Sequence, residues 1–217
     1  YVLPQEVMAL ARKLDHFVVE NEKSARRFLS SLKTEKPVRE INMQVLNEHT
    51  DAKDIPALLS PLLAGHDLGM LSEAGCPGIA DPGAALAEAA HRKGIRVSPL
   101  VGPSSILLGL MASGFNGQQF TFLGYLPSDK NARITKLKEI EKRSQQRKET
   151  QIFIETPYRN QHMLEDILAH CGDATKLCVV SNVSLENELI ISKPIAEWKK
   201  MGPLDLHKQP TVFLILA

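Results

Sequence analysis

The groups best placed to do chemistry in this sequence belong to the backbone. Leu71-Ser-Glu-Ala-Gly-Cys-Pro-Gly-Ile-Ala-Asp-Pro-Gly83 sets three glycines and two prolines between an apolar run at 68–71 and an alanine-rich helical pattern at 84–93. Glycine and proline there force the chain into tight, specific turns. Asp81 can cap the following helix, with Pro82 in its first turn, and Gly94 stops it. A glycine-rich strand-to-helix turn is where an α/β sheet presents backbone groups to a ligand. On this segment alone, a cofactor loop and an ordinary connection are equal readings. A second tight turn, Val101-Gly-Pro-Ser-Ser105, follows an alternating stretch at 95–100 that predicts a strand. Two such turns in succession predict neighbours at one edge of a parallel sheet, and so a pocket.

The side chains offer no complementary catalytic set. There is no G-x-S-x-G, H-E-x-x-H or G-x-x-x-x-G-K-[ST] pattern. The 7 histidines are scattered without metal-ligand spacing, so no metal is expected. Cys76 has no adjacent base and reads as a small wall residue. A pocket of backbone groups without an acid/base pair suits a reaction whose cofactor carries the difficulty. Methyl transfer from S-adenosylmethionine is one: the methyl is already activated, and oxygen dipoles near the sulfonium favour it.

The elements that must position these turns are those of an α/β chain. The 217 residues fit one large or two small domains. Aromatic residues are 5% against 43% hydrophobic, which predicts an aliphatic core of helices on sheets. Lys+Arg number 26 against 25 Asp+Glu, so any nucleic-acid role must rest on local patches. Cys76, Cys171 and Cys178 form no C-x-x-C pair, which points to a reducing, cytoplasmic setting. No apolar run reaches the ~18 residues a membrane span needs.

In chain order, helices are predicted near 7–14, 24–32, 54–63, 84–93, 106–112, 128–148 and 160–171, with an exposed one around 196–199. Strands are predicted at 16–19, 38–43, 68–71, 95–100, 120–127, 151–154, 177–180, 189–192 and 211–216. Leu126-Pro127 and the polar run after it predict a domain boundary, giving domains 1–125 and 126–217.

Four ordered segments resemble motifs of the tetrapyrrole methylase superfamily, the class III S-adenosylmethionine-dependent methyltransferases. They are Ser72 to Gly83, Pro99-Leu-Val-Gly-Pro-Ser-Ser105, Phe122-Leu-Gly-Tyr-Leu-Pro127 and Phe153-Ile-Glu-Thr-Pro-Tyr-Arg159. Within it they look most like the ribosomal small-subunit RNA 2'-O-methyltransferase I branch. The resemblance covers about residues 15 to 170 and is weak in the last quarter. It implies two α/β domains, S-adenosyl-L-methionine in a cleft between them, and a homodimer. Carried over by position, Ala74, Gly75 and Cys76 would contact the methionine end, and Ile79 would pack near it. Ser104 and Ser105 would line the other side, Glu155 would sit beside the cofactor, and Asn182 would lie at a further pocket turn. An adenine contact is implied near Pro210 and Thr211. The family's opening strand and turn have no counterpart before Val2. Glu20-Asn-Glu-Lys-Ser24 stands where the family carries Glu-Asp-Thr-Arg, which makes Glu20, Lys23 and Arg26 the candidate substrate contacts. Ser181-Asn182 stands in place of a family Arg-Glu.

The basic stretch from Lys130 to Lys148 reads either as an RNA-facing patch or as a solvated helix face. Glu155 reads as a cofactor contact, a helix cap or a general base, and Arg159 as a phosphate grip or a salt-bridge partner. The expected activity is methylation of a ribose 2'-hydroxyl in ribosomal RNA, with RNA or the small subunit as partner. The alternatives are methylation of a small molecule such as a tetrapyrrole, or a non-catalytic cofactor-binding paralogue.

Overall fold

The computed structural model describes residues 2–217. The chain folds as two compact α/β units, one running to Ser104 and the other from Ser105 to Ala217.

The first unit contains helix α1 (Gln5–Lys13), strand β1 (His16–Val19), α2 (Glu22–Leu32), β2 (Asn42–Val45), the short α3 (Ser60–Leu63), β3 (Gly69–Leu71) and α4 (Gly83–Arg92). Its parallel sheet has the order β2-β1-β3. The central strand is apolar without a break because both its faces are covered. Phe17 and Val19 pack with Ala25, Leu29 and Leu32 of α2. Val18 points the other way, into a cluster with Leu59, Leu86 and Ala90. Asn21 caps α2 through its side-chain oxygen, which accepts from Ser24 N at 3.1 Å.

Three sequence expectations change in this unit. Residues 38–43 are not one strand: Val38–Glu40 is a single 3-10 turn entered from Pro37, and pairing starts at Asn42. Residues 54–63 break into a 3-10 turn, Ile55–Leu59, and then α3. Pro61 lacks the donor that a continuous helix would use at this point, which accounts for the break. Residues 95–100 pair with no strand, and most of them are exposed. Alternation marks an apolar stripe, but a strand also needs a neighbour for its donors, and Pro99 supplies none.

The second unit contains α5 (Ser105–Ser113), β4 (Phe120–Tyr125), α6 (Lys130–Arg147), β5 (Thr150–Ile154), α7 (Asn160–His170), β6 (Lys176–Ser181), β7 (Leu189–Pro194), the short α8 (Ile195–Trp198) and β8 (Thr211–Leu216). The sheet order is β4-β5-β8-β6-β7. β4 and β5 are parallel and the other pairs antiparallel. The last strand of the chain is therefore central, and Phe213, Leu214 and Ile215 are fully buried. Alternate residues serve the two faces. Phe153, Leu177, Val179 and Phe213 join α6, α7 and α8, while Ile152, Cys178, Val180 and Leu214 join Leu110 of α5.

That second cluster explains why the division falls at Ser104, earlier than the expected 125/126. At Gly109 an added Cβ would lie 3.4 Å from Val180 and 3.5 Å from Leu214, so α5 packs directly on this sheet. β4, read as a strand leaving the first unit, is an edge strand of the second. The helix expected to be exposed near 196–199 is α8, and it is anchored. Ile195 is fully buried, and Trp198 Nε1 donates to Leu177 O at 2.9 Å.

Burial raises the Cys171 thiol to about 12, with Glu141 raising it further against an opposing Lys199. Burial likewise raises Cys178 to about 11. Both therefore stay protonated at neutral pH. In the folded protein, iodoacetamide at pH 8 is expected to label Cys76 alone, read by intact mass. Fast labelling of all three thiols would contradict the burial.

Candidate functional site

The turn after β3 is built by its own hydrogen bonds. Asp81 Oδ1 accepts from Gly78 N at 2.6 Å and Gly83 N at 2.8 Å, closing the loop onto the start of α4. Ile79 N donates to Cys76 O at 3.2 Å, and Ser72 Oγ to Gly75 O at 3.3 Å. Gly75 has φ +78, a region that side chains disfavour. A Cβ added there would meet nothing within 4 Å, so the turn faces open space. Ala74, Gly75 and Ile79 are exposed. Of the carbonyls at 74–76, only that of Ala74 has no hydrogen-bond partner among the described residues.

Two neighbours steady this turn. Glu20 Oε2, at the end of β1, accepts from Glu73 N at 2.9 Å, and Glu73 Oε1 accepts from Ser24 Oγ at 2.7 Å. Cys76 Sγ lies 3.3 Å from Pro103 O, so the second glycine–proline turn does reach the first, without the sheet pairing expected of it. Cys76 is a packing residue with no base beside it. Ser104 has a polar interaction of its own, and Ser105 opens α5.

The candidate substrate residues separate. Glu20 holds the loop. Arg26 is engaged by Glu22 and by Val38 O at 2.9 Å. Lys23 is exposed without an ion pair among the described residues. The α6 stretch is partly neutralised: Arg133 is buried against Asp166, Lys136 meets Glu139, and Arg143 meets Glu149.

In the second unit, the ends of β5 and β6 and the start of β8 gather polar groups at one sheet edge. The register pairs Ile154 with Val212 and Ser181 with Thr211. Glu155 is 4% exposed. Its Oε1 accepts from Thr156 N at 2.6 Å and from Arg159 Nε and Nη2 at 3.0 and 2.7 Å. Its Oε2 is buried without a partner. Arg159 is thus a salt-bridge partner. Asn182, at φ +50, donates from Nδ2 to Gln209 Oε1 at 3.1 Å, and Ser181 Oγ donates to the same oxygen at 3.0 Å. Asn160 Nδ2 donates to Gln209 O at 2.6 Å, while its Oδ1 is buried and unpartnered. Gln209 organises this edge and was missed in the sequence. Its place just before Pro210 and the last strand was the available signal.

The family model for tetrapyrrole (corrin/porphyrin) methylases matches residues 3–199, which takes in both glycine turns, Glu155 and Asn182. The chain belongs to the tetrapyrrole methylase family. Members of this family are methyltransferases that use S-adenosylmethionine. Among curated relatives, a Thermotoga maritima protein named ribosomal RNA small subunit methyltransferase I is 32% identical over 196 residues, 89% of this chain and 84% of that one. A Vibrio cholerae protein of the same name is 35% identical over 152 residues, 70% of this chain. The match spans only about half, 51%, of that relative. Among solved structures, the methyltransferase CobJ superposes with a TM-score of 0.65, covering 99% of this chain and 88% of that one. At 16% identity this likeness shows the fold alone. Among the described residues, no group of three His, Cys, Asp or Glu side chains could hold a metal ion, and no helix is long and apolar enough to cross a membrane.

Proposed function

We propose that this tetrapyrrole methylase transfers a methyl group from S-adenosylmethionine to a ribose 2'-hydroxyl of small-subunit ribosomal RNA. The observation that carries the reading is the similarity over 84% of the length of a relative named for that RNA. The open, side-chain-free space beside Gly75 supports a cofactor contact there. Ala74, Gly75, Cys76 and Ile79 would meet the methionine end, with Ser104, Ser105 and Asn182 as further contacts.

When bound, the cofactor supplies an activated methyl group, and the residues of this chain bind and orient. The Ala74 carbonyl, without a hydrogen-bond partner among the described residues, can face positive charge. Glu20, Ser24 and Asp81 hold the turn that presents it. Glu155 fixes the 155–160 turn through Arg159 and Thr156, and its Oε2 is left to receive one donor. That makes Glu155 a positioning residue rather than a general base. Glu155→Gln is expected to keep kcat within about tenfold, because a lost general base would cost roughly 10²–10⁴-fold. A fall in that larger range, in a variant that still binds cofactor, would restore the base assignment.

Calorimetric titration with S-adenosylmethionine and tritiated methyl transfer test the reading. Label is expected in undermethylated small ribosomal subunits and not in bulk metabolites. Transfer to metabolites alone would favour a small-molecule acceptor, and cofactor binding without transfer would favour a non-catalytic paralogue. A homodimer and a cytoplasmic setting complete the proposal, and sedimentation of the purified chain measures the first.

A further inference from the structure

Tyr158 is 68% exposed, three residues beyond the buried Glu155. It stands in the turn that leads into α7. Its ring meets that of His207 at near right angles, with centroids 6.1 Å apart and planes at 71°. His207 and Lys208 are exposed as well.

The backbone fixes the two segments together. Lys208 N donates to Pro157 O at 3.0 Å. Asn160 and Gln209, on either side of the pair, are joined at 2.6 Å. Lys208 has φ +59, which sets a turn between His207 and Gln209. Its ammonium has no ion-pair partner among the described residues. The result is a rigid aromatic corner with a free cation beside it, on the rim of the Glu155–Asn182–Gln209 edge.

A single exposed tyrosine is ordinary. Two exposed rings held in contact by main-chain bonds, next to an unpaired cation, have the composition of a single-strand nucleic-acid contact. Unstacked bases lie on aromatic rings, and lysine meets the phosphates between them. Bases inside a duplex are stacked on each other and offer no face to such a corner.

We propose that an unpaired base of the acceptor RNA strand stacks on Tyr158 with its edge against His207, and that Lys208 meets an adjoining phosphate. This rests on the RNA reading above and adds the place where the strand is held.

The test uses a fluorescein-labelled single-stranded oligoribonucleotide, with binding to the full chain read by anisotropy. Tyr158→Ala is expected to weaken binding roughly 5- to 150-fold, the range of one lost base stack. Tyr158→Phe keeps a ring and should bind like the wild type. Lys208→Ala should weaken binding and lower the salt slope by about 0.7. Affinity for S-adenosylmethionine should be unchanged in all three, which also reports that they fold. Wild-type RNA affinity in Tyr158→Ala, or no RNA binding by the wild type, overturns the proposal. Methyl transfer separates the two levels. If the wild type methylates ribosomal subunits and Tyr158→Ala does so with the same KM, the corner is wrong and the RNA reading stands. If the wild type transfers methyl to no RNA, the reading itself fails, and the corner with it.

Discussion

Gly75→Val is expected to abolish S-adenosylmethionine binding, a loss of roughly 100-fold or more, equivalent to at least about 2.7 kcal/mol. Two physical effects act at this position and can be told apart. The backbone there has φ +78, so any side chain adds strain of about 1–2 kcal/mol to the fold. A Cβ there meets no protein atom within 4 Å, so a valine fills the volume proposed for the cofactor. Gly75→Ala carries the same backbone strain with a far smaller side chain. Its affinity should fall between wild type and valine, while both variants lose a similar, small amount of stability. Calorimetric titration gives the affinity, and thermal unfolding gives the stability. A folded valine variant with wild-type affinity would remove this turn from the cofactor site.

Asp166→Ala should destabilise the second unit by about 3–5 kcal/mol. Arg133 and Asp166 are 7% and 8% exposed at their side chains. They are joined at 2.8 and 2.6 Å through Nε and Nη2, and Arg133 Nη1 also donates to Ser128 O at 2.9 Å. This pair ties α6 to α7. Removing the carboxylate leaves a guanidinium buried with its charge unmet, which is costlier than never having had the pair. Against a typical total of about 5–15 kcal/mol, the loss is large. The double variant Arg133→Met with Asp166→Leu should recover most of it, because volume is kept and no charge is stranded. Urea unfolding of the two variants measures the difference. A loss below about 1 kcal/mol in Asp166→Ala would show that the pair behaves as an exposed one.

Much of the first unit was legible because its signals are local. Asp81 and Pro82 before α4 and the glycines closing the turns act within a few residues of themselves. The turn at 72–83 could be singled out for the same reason, and the four ordered motifs pointed to the family that the comparisons support. Strand pairing is not local. Residues 95–100 alternate as a strand should, yet they pair with no neighbouring strand, while Thr211–Leu216 looked terminal and occupies the centre of its sheet. The division at Ser104 also depended on packing: α5 is apolar nearly all round, and only its contact with Val180 and Leu214 shows which sheet it covers.

The site divides along the same line. The sequence by itself singled out a glycine–proline turn as the candidate cofactor loop, because glycine and proline restrict the backbone wherever they stand. Only the tertiary structure decided what surrounds that turn. It put Glu20 under Glu73, turned Glu155 inward onto Arg159, and made Gln209 the hub of an edge assembled from three distant strands. Those roles are set by which side chains meet across the fold, and a hydrogen bond between residues 53 positions apart leaves no periodicity to read.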